Sequence, residues 1–78
     1  MDDKISSLVC KITEKQIYYN RLMRYDLRKF RKGEISSSSY RMKDSVNLKN
    51  LRKLKVLKER IEIDEIEMLI IFFNEEFK

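Results

Sequence analysis

Residues 28–42 read RKFRKGEISSSSYRM, and this stretch decides the fold because it fixes where one helix stops and another begins. Lys29, Arg31 and Lys32 sit where the helix macrodipole favours cations. Gly33, the single glycine of the chain, follows at the position where a left-handed residue ends a helix. Ser36 then offers an N-cap, with Ile35 and Tyr40 in the positions of a hydrophobic staple. Four consecutive serines also spell a flexible linker, but the flanking staple favours a folded turn between two antiparallel helices.

Outward from the turn toward the N-terminus, apolar residues recur in one phase. At 100° per residue Ile5, Leu8, Val9, Ile12, Tyr19, Leu22, Met23, Leu27 and Phe30 fall in an arc of roughly 140°, interrupted by Lys15 and Gln16. The pattern predicts one helix from about residue 3 to 32. Thr13 with Gln16 also spells a capping box, with Ile12 and Ile17 as its staple, so a break there is the alternative.

On the other side of the turn a second helix is expected over about 37–60. Tyr40, Val46, Leu51, Leu54, Leu57 and Ile61 share a face, while Asn47, Asn50 and Lys58 intrude on it and Leu48 and Val56 lie outside it. A kink or restart near KDSVN, capped by Asp44 or Ser45, would account for the irregularity. Asp64 with Glu67 is a D-x-x-E cap pattern, flanked by Ile63 and Met68 as a staple, and predicts a third helix over about 65–77. Turn residues 33–36 and these three helices make one small all-α domain, a long antiparallel hairpin with a C-terminal third helix. With no proline and one glycine, little in the chain opposes helix.

The third helix contains MLIIFF, six apolar residues in a row at 68–73. Ile66, Leu69, Ile70, Phe73 and Phe77 form the stripe expected to close over the hairpin. Met68, Ile71 and Phe72 point away from it. Leaving those three in water forfeits about 1.5 to 3 kcal/mol each, so they are candidate partner-binding residues, for a protein or a second copy. Threading of the third helix between the other two would bury both faces and is the competing expectation.

Charge is segmental. Residues 1–60 carry 17 Lys and Arg against 7 Asp and Glu, whereas residues 61–78 carry 1 against 6. Arg21, Arg24, Arg28, Arg31 and Lys32 recur at helical spacing opposite the apolar arc and form a ridge, to which Arg41, Lys49, Arg52, Lys53, Lys55 and Arg60 on the second helix add a broad outward face. Arginine suits bidentate contacts to phosphate. These cations, Arg60 aside, are the candidate nucleic-acid-binding residues, and a cationic surface remains however an acidic third helix docks. Tyr18 and Tyr25 at the ridge edge are placed to stack on unpaired bases, which favours RNA over DNA, or to shield the core rim.

The chemistry that the chain excludes is as plain. It has no histidine, so the usual neutral-pH base and the commonest metal ligand are missing. Cys10 is the only cysteine, which rules out an internal disulfide and a thiolate metal site. One glycine cannot build a phosphate loop, and the carboxylates form no recognisable pair. We expect no enzyme, no cofactor and no metal. The acidic start MDDK and the short apolar runs indicate neither export nor a membrane span, and point to an intracellular setting.

YDLRKFRKGEI at 25–35, followed by LRKLKVLKER at 51–60, resembles the family of protein number twenty-nine of the large ribosomal subunit, a two-helix hairpin. The resemblance implies that Tyr25, Leu27 and Arg28 match its first helix and Lys53, Leu54 and Lys55 its second. It covers about half the chain and does not account for the third helix. Two functions follow from the residues. One is a non-catalytic protein that binds nucleic acid or a ribonucleoprotein through the arginine ridge. The other is a viral or mobile-element adaptor or inhibitor that binds a larger host machine, for example a nucleic-acid enzyme, through the apolar C-terminal helix.

Overall fold

The computed structural model describes residues 3–61 and 65–77. Three helices follow one another, α1 (Asp3–Arg31), α2 (Ser37–Arg60) and α3 (Ile66–Glu76). The architecture is the all-α bundle expected, a helical hairpin with a short third helix against it, and no described residue is in a strand.

The turn closes as its residues predict. Gly33 takes φ +75° and open space surrounds it, so conformation and not crowding selects glycine. Its N–H donates to Phe30 O at 3.0 Å and that of Glu34 donates to Lys29 O at 2.9 Å, the paired bonds of a Schellman motif. Ser36 Oγ accepts from Ser39 N–H at 3.1 Å and starts α2. The Tyr40 ring stacks on Phe30, with centroids 4.7 Å apart, which bolts the two helices together beside the turn.

Helix α1 is continuous through Thr13, whose hydroxyl donates to Val9 O one turn back at 2.9 Å and does not cap a new helix. It ends at Arg31, one residue before the expected Lys32. Helix α2 is also continuous, without a restart at Asp44 or Ser45. At 1.5 Å per residue α1 alone is about 43 Å long. That length sets the long dimension of a molecule measuring 48 × 19 × 17 Å.

The hydrophobic core occupies one end only. Leu8 and Ile12 of α1, Leu54, Leu57 and Ile61 at the end of α2, and Leu69, Phe73 and Phe77 at α3 are buried together, with Ile5, Val9, Tyr19, Ile66 and Ile70 packed around them. Lys4 pairs with Glu67 at 3.1 Å, while Lys53 pairs with Glu76 at 2.9 Å and Tyr19 meets Phe77 edge-on at 6.4 Å. Helix α3 therefore runs parallel to α1 and antiparallel to α2, along the open half of the hairpin. It starts at Ile66, one residue later than expected, and Glu65 makes no side-chain cap bond. The proposed cap Asp64 and staple residue Ile63 lie outside the described residues.

Between the core and the turn the two helices also meet through a polar pair. Asn47 Nδ2 donates to Asp26 Oδ2 at 3.2 Å, and both residues are buried. Asp26 falls inside the same arc as the apolar residues of α1, and Asn47 replaces Val46 at the contact. Val46, expected on the shared face, is instead 58% exposed. The two buried polar side chains satisfy each other, and Val46 lies beside them on the wall of an open hollow that Leu22, Tyr25 and Met42 also line.

Candidate nucleic-acid interface and apolar groove

Arg21, Arg24, Arg28, Arg31 and Lys32 are all exposed. Continuous helix holds Arg21, Arg24, Arg28 and Arg31 at three- and four-residue spacing, so about 15 Å of the outer face of α1 carries a guanidinium on every turn, and Lys32 stands just past the helix end. None of the five reaches a carboxylate at ion-pair distance among the described residues. The acids of α3 do not come near them, because Glu67 and Glu76 pair with Lys4 and Lys53 at the other end of the hairpin.

The tyrosines flank this ridge with their rings in water, Tyr18 at 51% and Tyr25 at 49% exposure. Lysines lie over both, Lys15 Nζ at 5.6 Å from the Tyr18 centroid and Lys29 Nζ at 4.7 Å from that of Tyr25. Hydrogen bonding with Tyr25 raises the Lys29 ammonium above the ordinary lysine range, so this cation stays charged throughout physiological pH. A shallow hollow lined by Tyr25, Arg28, Lys29, Lys32 and Glu34 lies at the turn end of the ridge. Tyr19, by contrast, faces the core, and desolvation chiefly raises its phenol.

The cations of α2 are divided between the turn, the outer face of the helix and a groove. Arg41 is exposed near the turn, and Lys55 is exposed farther along α2. Lys49, Arg52 and Lys53 line a groove of about 510 Å³ between α2 and α3, together with Arg60. Lys53 is half-buried and engaged with Glu76, which corrects its expected place on an outward cationic face. Its stem lies against the junction of α2 and α3, and its ammonium already has a counter-charge.

The floor of that groove is apolar. Val56 and Leu57 of α2 face Met68, Leu69 and Phe72 of α3. Met68, Ile71 and Phe72 are 63, 53 and 40% exposed, so α3 covers the hairpin with one face and leaves the other in water, and threading between α1 and α2 does not occur. Ile71 stands on the open back of α3, outside the groove. The contribution of Val56 was hidden in the sequence, where it looked like an isolated apolar residue off the main face. Its spacing of four from Arg60 and three from Lys53 was the available signal.

No group of three or more metal-ligating side chains occurs among the described residues. No helix of the described residues is long and apolar enough to cross a membrane. Cys10 is exposed on α1. Comparisons with protein-family models, with curated proteins and with solved structures find no match, so the resemblance to the ribosomal hairpin receives no support from them.

Proposed function

We propose that this chain is a small, basic, non-catalytic protein that works inside the cell and binds nucleic acid, or a ribonucleoprotein, through the arginine ridge of α1. The observation that carries this reading is the separation of charges. Helix α3 places its acids at the open end of the hairpin and leaves Arg21, Arg24, Arg28, Arg31 and Lys32 exposed and unneutralised among the described residues. A rigid row of guanidinium groups exchanges condensed counterions for phosphate contacts, which favours binding without requiring any base to be read. Exposed Tyr18 and Tyr25 beside the row favour RNA with unpaired bases, on which a ring can stack. Arg41 extends the surface beside the turn, whereas Lys49, Arg52 and Lys53 belong to the groove.

Titration of a labelled single-stranded RNA and of a DNA duplex at increasing salt tests the proposal. RNA affinity is expected to fall linearly on a log-log plot against salt. Alanine at Arg21, Arg24, Arg28 and Arg31 should flatten that slope by up to roughly 3, at about 0.7 for each phosphate no longer neutralised. Negligible binding of both nucleic acids at low salt, or an unchanged slope in the fourfold variant, would contradict it.

Exposure of Met68, Ile71 and Phe72 favours a second reading, a viral or mobile-element adaptor or inhibitor that seats this face on a larger host machine. That function predicts a complex with the host protein that survives high salt and is lost in Phe72→Asp.

A further inference from the structure

The groove between α2 and α3 and the outer edge of α3 complement each other in charge, and both are apolar at the centre. The groove has Val56, Leu57 and Leu69 along its floor and Met68 and Phe72 on its α3 wall, beneath a rim that carries Lys49 and Arg52. The outer edge of α3 is apolar, Met68 and Ile71 with Phe72, and exposed Glu75 accompanies it, while Glu67 on the same edge is paired with Lys4. An apolar edge with an acid fits an apolar trough with bases. Both halves lie on one patch of the same chain, the requirement for an isologous contact that closes on itself about a two-fold axis.

We infer that the occupant of this groove is the third helix of a second copy, so that the protein forms a symmetric dimer in which the outer edge of each α3 lies in the α2–α3 groove of its partner. The contact withdraws Met68, Val56, Ile71 and Phe72, all exposed in the single chain, from water on both subunits. Net charge does not oppose it where it matters. The arginine ridge lies on the face of α1 opposite its core arc, away from the groove, and the patch itself carries both signs. The inference is independent of nucleic-acid binding. It leaves both arginine ridges outward in the dimer.

Sedimentation equilibrium from micromolar to millimolar chain concentration tests it. The wild-type chain is expected to pass from monomer to dimer. Phe72→Asp and Met68→Asp should weaken dimerisation at least about tenfold while the helical circular dichroism stays unchanged, since both side chains are exposed in the single chain. Charge reversal gives the sharper result and does not depend on the apolar variants. A chain with Glu75→Lys, and another with Lys49→Glu and Arg52→Glu, should each dimerise poorly, yet combine with each other when mixed. A wild-type chain that remains monomeric throughout overturns the proposal and returns the face to the adaptor reading. Dimers that persist in Phe72→Asp, or reversed chains that do not combine, overturn it as well.

Discussion

The two ends of the hairpin are built on different principles. At the open end three helices exclude water from Leu8, Ile12, Leu54, Leu57, Ile61, Leu69, Phe73 and Phe77. At the turn end two helices meet without a third, through the Asp26–Asn47 hydrogen bond and the Phe30–Tyr40 stack, and Met42, Val46 and Tyr25 stay in water. Two helices alone have little inward-facing surface to shelter, so a hydrophobic core cannot close there. Polar pairing fixes how the helices meet instead. The comparison teaches that stability and the candidate binding ridge are spatially divided. Contacts that hold the fold lie at one end, and most of the unpaired arginine lies toward the other.

Deleting core volume should therefore cost far more at the open end than at the turn end. Phe73→Ala removes a buried ring and is expected to destabilise by about 3 to 5 kcal/mol, a large share of the stability available to so short a chain. Val46→Ala, in contrast, should stay within about 0.5 kcal/mol. Urea unfolding followed by circular dichroism compares the two. Similar costs at both sites would dissolve the contrast.

At the turn end the polar pair should show the largest effect. Asp26→Ala strands the Asn47 amide in a buried site and should cost roughly 1 to 3 kcal/mol in the same measurement. Replacing Asp26 and Asn47 together by leucine should recover most of that loss, because both polar groups leave the interior at once. A double variant as damaged as the single one would mean that the pair does more than satisfy itself.

Smaller still are the turn signals. Gly33→Ala forces an L side chain into the left-handed region and should cost about 1 to 2 kcal/mol. Ser36→Ala removes the bond to Ser39 N–H and should cost about 1 kcal/mol. Thermal unfolding ranks these against Asp26→Ala, and a greater loss at Ser36 than at Asp26 would reverse the expected order.

Much of this architecture was legible in the residues, and the reasons are local. Gly33 and Ser36 mark helix ends by conformations and hydrogen bonds that act within four residues, so the turn could be placed nearly to the residue. The stripe Ile66, Leu69, Ile70, Phe73, Phe77 follows from helical period alone, and so does the place of Met68, Ile71 and Phe72 on the opposite edge, but period leaves open whether a threaded helix buries them. What depends on a partner helix was harder to see. Asn47 looks like an intrusion on its face, and Asp26 passes unnoticed in the α1 arc, until each is known to face the other. Val46 seemed to belong to the interior for the same reason. Lys49, Arg52 and Lys53 seemed to extend the arginine ridge, because period places them outward on α2 but says nothing of α3 lying alongside to turn outward into a groove.

The most direct test of the division between a stabilising end and a binding ridge is a map of backbone amide shifts on adding a single-stranded RNA to the labelled chain. Perturbations are expected along residues 21–32 and at Arg41, with residues 66–76 unchanged. Shifts concentrated on α3 and the α2–α3 groove, with Arg21 to Lys32 silent, would contradict it.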